Sequence, residues 1–202
     1  VPARLRNDLL KYCYEQNKSI YVIPKISDIV IRSAKDITYF DSPIIKCSSV
    51  GLTVEQRAIK RLIDVVCSLL GLIILSPLFL VISLAIKLYD GGPVFYKQRR
   101  CTRDLEPFDI LKFRSMIVDA EKDGPQPAVD NDSRITPIGK VIRALRIDEL
   151  PQIINILKGD MSIVGPRPER IEHVEKYSKE IPEFVCRYKV KGGLTGYAQV
   201  YG

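Results

Sequence analysis

The longest apolar run in the chain extends from Val65 to Ile86, and the rest of the sequence alternates on a finer scale around it. About 22 residues long, it would reach roughly 33 Å as a straight helix, enough to cross a hydrocarbon core. Ser76-Pro77 sits in its middle, where Pro77 has no N–H to offer and its ring crowds the carbonyl of Ile73, so a kink or break is expected. Positive charge flanks the run on both sides: Arg57, Lys60 and Arg61 before it, Lys87, Lys97, Arg99, Arg100 and Arg103 after it. The positive-inside rule then assigns no orientation unless both ends lie in the cytoplasm. A helix that enters, breaks at Ser76-Pro77 and returns accounts for both features; a kinked spanning helix is the alternative.

Shorter patterns place the other elements. Leu5, Leu9, Leu10 and Cys13 share one face of an N-terminal helix, Ser19 to Ile23 reads as a buried strand closed by Pro24, and a helical turn near Ile26 to Ile31 precedes an apolar run at Ile37 to Phe40. This resembles the last βα units of an α/β domain without its beginning, too small to bury a core. Asp41 to Gly51 reads as a linker. Beyond the apolar run, Asp90-Gly91-Gly92-Pro93 is a turn. Val94–Gln98 and Phe108–Phe113 alternate as two strands. Acidic Asp119 to Asp132 reads as a loop that could cover a ligand. Thr136-Pro137 opens a helix whose apolar face would be Ile138, Val141, Ile142 and Leu145. Ile171, Val174 and Tyr177 mark a further helix, and Phe184, Val185 and Tyr188, among basic residues, suit a membrane interface.

The chemistry concentrates between Arg143 and Arg170. Pro151 fits a first helical turn, Leu150, Ile153, Ile154 and Leu157 recur at helical spacing, and Lys158-Gly159 supplies the stop. Asp148 and Glu149 would then lie at a helix N-terminus, which favours anions. Arg143 and Arg146 precede them, and Gly165-Pro166-Arg167-Pro168-Glu169-Arg170 follows as a rigid turn carrying two more guanidiniums. Ordinary helix capping explains an acidic pair; carboxylates combined with several cations also suit phosphoryl chemistry, as nucleophile or metal ligand with clamps for phosphate oxygens.

Composition narrows the partners. The 202 residues carry a net charge of +7, which points to an anionic partner. No nucleic-acid-binding motif is visible and aromatic content is 8%, so phosphorylated substrates and acidic lipids are preferred to nucleic acid. The five cysteines are scattered without a Cys-x-x-Cys pair, against a disulfide framework or zinc site and consistent with a reducing compartment. The single histidine, His173, lies in a charged helical stretch and reads as a surface residue.

Ile147-Asp148-Glu149-Leu150-Pro151-Gln152, Asn155, Leu157 to Ser162 and Val164 to Glu169 resemble, in that order, the signature of the bacterial sugar transferases, the monotopic phosphoglycosyl transferases. Lys112-Phe113-Arg114-Ser115-Met116 matches another motif of that family. Gly192 to Gln199 resembles its C-terminal motif, with Gly192 where proline is common and Tyr197 where tryptophan is common. The resemblance implies an α+β, mainly helical, membrane-associated catalytic domain with a re-entrant helix broken at Ser76 and Pro77 and a small β-hairpin. The expected organisation is an α/β (Rossmann-like) remnant at 1–47, a linker at 48–58, and a catalytic domain at 59–202 with its membrane helix at about 62–88, continuing in the family past Gly202. It further implies transfer of a sugar 1-phosphate from a UDP-sugar to polyprenyl phosphate at the cytoplasmic face of the inner membrane, for exopolysaccharide or capsule synthesis. Asp148 would be the nucleophile, Glu149 would bind Mg²⁺, and Lys112, Arg143 and Arg167 would hold phosphate oxygens. A homo-oligomer stays open, as does the sugar, with a hexose preferred. The competing reading is a basic membrane-anchored adaptor or assembly subunit without activity.

Overall fold

A computed structural model describes residues 3–16, 18–19, 31, 35–39, 42–46, 52–120, 122, 124, 132–196 and 199–200. Its contacts divide the chain into two units, Val1–Val50 and Gly51–Gly202.

In the first unit, helix α1 (Ala3–Glu15) bears out the N-terminal amphipathic pattern, with Leu5 and Leu9 left about half exposed. Strands β1 (Lys35–Tyr39) and β2 (Ser42–Lys46) form an antiparallel pair whose backbone register puts Ile37 opposite Ile44. β2 occupies the stretch read as linker. Ile44-Ile45 favours extended backbone, and Pro43 is tolerated because a two-stranded pair leaves each strand a free edge. A Rossmann-like unit needs parallel strands joined by a crossover, and this hairpin lends that reading no support. The expected strand at 20–23 and the turn at 26–30 lie outside the described residues.

The second unit is mainly helical, with one long apolar helix and small sheets. Helix α2 (Val54–Asp90) begins inside the span expected to be linker, at a capping box in which Gln56 N–H donates to Thr53 Oγ1 (3.2 Å) and Thr53 N–H to Gln56 Oε1 (3.0 Å). Gly91, at φ 70°, ends it. The helix is long and apolar enough to cross a membrane. Where a break was expected it continues through Ser76-Pro77: Ser76 Oγ donates to the Ile73 carbonyl at 2.8 Å, supplying the donor that Pro77 lacks.

The two faces of α2 differ. Asp64, Ser68, Ile82 and Ile86 are buried against the rest of the unit, whereas Ile59, Leu62, Val66, Leu70, Ile73, Leu80, Leu84 and Leu88 form an exposed apolar stripe. Asp64 holds the near end, accepting from Ser162 Oγ (2.8 Å) and Ile163 N–H (3.0 Å). Ile82 and Ile86 hold the far end, in a core with Phe113 and Ile142.

The predicted hairpin is present as β3 (Phe95–Cys101) against β4 (Pro107–Phe113), antiparallel, with Tyr96 opposite Lys112 and Arg100 opposite Phe108. Phe113, 1% exposed, packs its ring between Phe79 and Phe95 and so joins hairpin to α2. Helix α3 (Pro137–Ala144) has Thr136 as its cap, accepting from Gly139 N–H at 2.9 Å. Its expected apolar face needs correction: Ile138 and Ile142 turn inward, while Val141 and Leu145 are 59% and 65% exposed. Gly139 is required by close approach, because a Cβ there would lie 1.9 Å from the Ser115 carbonyl oxygen.

Helix α4 (Gln152–Lys158) stops at Gly159, φ 99°. Strand β5 (Ser162–Val164) runs parallel to β6 (Gly193–Thr195), and α5 (Ile171–Glu180) leads into a 3-10 segment, Pro182–Lys189. His173 is exposed on α5, as expected. Tyr188 departs from the interfacial reading: it is 5% exposed and packs with Cys101 and Val174, leaving Val185 on the surface.

Candidate active site

The acidic pair stands ahead of α4, not in its first turn. Arg146 adopts a left-handed conformation at φ 55° that turns the chain out of α3, and Ile147–Glu149 follows as a separate 3-10 turn. Ile147 packs against the Phe113 core, and Leu150 N–H donates to its carbonyl at 3.1 Å. Pro151, in right-handed helical conformation, then starts α4.

Buried Asn155 fixes α4 to the hairpin. Its Nδ2 donates to the Asp109 carbonyl (2.8 Å), and its Oδ1 accepts from Leu111 N–H (2.9 Å). This sets the register of Lys112, the next residue, against the acidic turn. Lys112 Nζ lies 2.7 Å from Glu149 Oε1, and Arg167 Nη2 reaches the same oxygen at 2.8 Å. Burial raises the Glu149 carboxyl, but Lys112, by charge and hydrogen bond, and then Arg167 overcome it and hold the pKa at about 2.

Asp148 is placed differently. It lines a cavity of about 460 Å³ together with Lys112 and Arg143. Burial raises its pKa above the ordinary carboxylate value; Lys112 opposes the rise, Glu149 adds to it and Arg143 opposes it. Of two adjacent carboxylates, one is neutralised by direct ion pairs and the other faces open volume.

The structure therefore brings Asp148, Lys112 and Arg143 to one cavity and puts Glu149 and Arg167 on its flank, joined through Lys112. Arg146 is exposed and outside the cavity, and Ser76 and Pro77 are exposed on α2, apart from it. Sequence reasoning had not singled out Arg100 and Gln98 as site residues, yet both line the cavity. The Arg100 guanidinium is held by Gln98 Oε1 (2.6 Å from Nη2) and the Pro168 carbonyl. The signal was available: in an antiparallel hairpin, Tyr96, Gln98 and Arg100 share the face of the residues they oppose, Lys112 among them. Arg114 and Arg170 also line the cavity. Asp119 and Ala120, from the loop expected to cover a ligand, reach its wall, and most of that loop lies outside the described residues.

Residues 55–202 match the family described as bacterial sugar transferase. The chain belongs to this family. Among its relatives, a UDP-N-acetylgalactosamine-undecaprenyl-phosphate N-acetylgalactosaminephosphotransferase of Aeromonas hydrophila is 47% identical over 142 residues, 70% of this chain and 34% of that protein. A UDP-glucose:undecaprenyl-phosphate glucose-1-phosphate transferase of Klebsiella pneumoniae is 39% identical over 184 residues, 91% of this chain and 40% of that protein. A Bacillus subtilis protein named as a putative undecaprenyl-phosphate N-acetylgalactosaminyl 1-phosphate transferase is 49% identical over 135 residues, 67% of this chain and 75% of that protein. This sugar transferase chain thus spans between a third and two-fifths of the length of the first two.

A divalent cation fits the donor set in a limited way. Among the described residues no three His, Cys, Asp or Glu side chains cluster into an all-protein cage. Magnesium needs only one or two carboxylates when phosphate oxygens and water complete its shell. Among the described residues both side-chain hydrogen bonds that Glu149 accepts end on Oε1, so Oε2 is the oxygen that would hold it.

Proposed function

We propose that this sugar transferase chain forms the catalytic part of an enzyme that moves a sugar 1-phosphate from a UDP-sugar to undecaprenyl phosphate, with Asp148 as nucleophile. The observation that carries the reading is the split within the acidic pair: Glu149 is bound by Lys112 and Arg167, and Asp148 faces a cavity walled by cations. An Asp148 carboxylate oxygen attacks the phosphorus attached to the sugar. The bond from that phosphorus to the bridging oxygen breaks, and UMP leaves with the electron pair. A phosphate oxygen of the polyprenyl phosphate then attacks the same phosphorus, and the bond to Asp148 breaks, regenerating the carboxylate. Lys112, Arg143 and Arg100 hold the phosphate oxygens and stabilise the charge that builds on them. Bound Mg²⁺ would supply further neutralisation of the pyrophosphate. Burial makes Asp148 a more basic, and so more nucleophilic, carboxylate than an exposed one.

The same reading puts both ends of α2 on the cytoplasmic side. Its support is that Asp64, near the start, and Ile86, near the end, both pack on the one catalytic unit, while the intervening apolar stripe faces outward. Its two buried polar residues, Asp64 and Ser68, face protein instead of lipid. A spanning helix would carry one end away from that unit.

The test is release of UMP from a panel of UDP-sugars in the presence of undecaprenyl phosphate and Mg²⁺, with capture of a phosphosugar on the protein. The names of the relatives divide between glucose and N-acetylgalactosamine, so both belong in the panel. Near-normal turnover by Asp148→Asn would end the covalent mechanism, and absence of UMP release with every donor would favour the adaptor reading.

A further inference from the structure

A second cavity of the Gly51–Gly202 unit, about 720 Å³, shares no lining residue with the one that holds Asp148. It lies at the opposite end of α4. Asp148 precedes that helix, whereas Arg61 in the second cavity donates to the carbonyls of Ile156 and Leu157 at its C-terminus (2.6 and 2.7 Å). Lys191 reaches the Gly159 carbonyl beside them.

Six cations line it, Arg57, Lys60, Arg61, Arg103, Lys189 and Lys191, against two carboxylates. Asp64 is engaged by Ser162 and Ile163, and Asp104 by Arg103. Among the described residues no carboxylate forms an ion pair with any of the other five cations. The ammonium of Lys191 is depressed by burial first and by Arg61 and Arg103 next, and the opposing pull of Asp160 and Asp64 does not cancel that crowding. Leu52, Val164 and Val190 supply an apolar part of the wall and are 37%, 58% and 36% exposed. Arg57, Lys60 and Arg61 also belong to the first turns of α2, next to exposed Ile59, Leu62 and Ile63.

This combination selects an amphiphile. The excess of six cations over two carboxylates calls for an anion, and the apolar wall and adjoining stripe call for hydrocarbon. The described lining has no aromatic side chain on which a base could stack, which disfavours a nucleotide. The acceptor of the proposed reaction must reach Asp148, at the other end of α4. We infer that this cavity binds the phosphate headgroup of an anionic phospholipid and so fixes the unit on an acidic membrane surface. The inference needs α2 at a membrane and does not depend on the transfer reaction.

The test titrates the full chain, in neutral detergent micelles, with phosphatidylglycerol or with phosphatidylcholine of the same acyl length, and counts retained lipid by native mass spectrometry. Phosphatidylglycerol should bind at least about tenfold more tightly, since only its headgroup carries net negative charge. Arg57→Gln combined with Lys189→Gln removes two exposed cations and spares the contacts that cap α4. It should weaken phosphatidylglycerol roughly 25-fold, about fivefold per charge, and leave phosphatidylcholine unchanged. Lys60→Gln should act in the same direction, about fivefold. Equal phosphatidylglycerol affinity in wild type and the double variant would overturn the inference. So would displacement of the lipid by inorganic phosphate at equal concentration, which would mark a site for a soluble anion.

Discussion

Replacing Glu149 by Gln tests the electrostatic centre of the site directly. The substitution keeps the shape and removes the charge that Lys112 and Arg167 share at 2.7 and 2.8 Å. A carboxyl held at about 2 against an ordinary 4.5 represents roughly 3 kcal/mol of preference for the ionised form in the folded state. Arg167 is 39% exposed, so solvent screens its share, and about 1–2 kcal/mol of net stabilisation remains. Because the folded-state pKa is depressed, this contribution is complete above about 4.5 and fades as the pH falls toward 2. Unfolding of wild type and Glu149→Gln should be followed in one detergent from pH 7 down to pH 3. The variant should be less stable by about 1–2 kcal/mol at pH 7, with the gap narrowing steadily in acid. A gap of constant size across that range, or no gap at pH 7, would refute the assignment of charge to this pair.

Asp148→Asn should abolish turnover yet leave the protein as stable or slightly more so at pH 7, because a carboxyl whose pKa is raised by burial opposes folding when ionised; activity of the wild type should fall in acid at a higher pH than an ordinary aspartate would give, read from a pH–rate profile. Arg143→Ala should cost about 2–4 kcal/mol of transition-state stabilisation in kcat/KM with little change in thermal midpoint, whereas Arg167→Ala should lower both, since Arg167 also neutralises Glu149. Gly139→Ala should destabilise by about 1–3 kcal/mol, measured by thermal unfolding, because its methyl group meets the Ser115 carbonyl. Cysteine labels at Lys60 and Lys87, on a background lacking the native cysteines, should react from the same side of the membrane; labelling from opposite sides would show a spanning helix.

What the sequence made legible were features fixed by local rules. Thr136-Pro137, Lys158-Gly159 and the alternation through Phe108–Phe113 each depend on a cap, a stop or a period of two, and each element stands where those signals put it. Tertiary packing decided the rest. Val141 and Leu145 have the helical spacing of core residues, yet the short helix meets its neighbours through Ile138, Gly139 and Ile142, so they stay outside. Asp148 and Glu149 are chemically similar neighbours, and nothing local tells which one Lys112 will take. That depends on Asn155 joining α4 to β4 across more than forty residues of sequence. Pro77 carries a strong local signal for a break, and a side chain one residue earlier offsets it by donating to the orphaned carbonyl. A pattern read along the chain registers the proline and not the repair.

The placement of Arg167 links the long apolar helix to the candidate site. Asp64 of α2 fastens Ser162 and Ile163, and Lys60 donates to the Val164 carbonyl at 3.1 Å, so all of β5 is tied to the helix that carries the apolar stripe. Three residues past Val164 the chain delivers Arg167 to Glu149, through a turn packed so closely that a Cβ on Gly165 would lie 2.4 Å from the Lys191 carbonyl oxygen. That turn has little room to drift. The guanidinium that helps occupy Glu149, and so leaves Asp148 facing the cavity, is therefore positioned from α2 by hydrogen bonds and a short rigid connection. For the proposed reaction between a soluble nucleotide and a lipid phosphate, this is a physical reason for Asp148, the proposed nucleophile, to sit at a fixed place relative to the apolar helix: the residues that hold the helix also position Arg167.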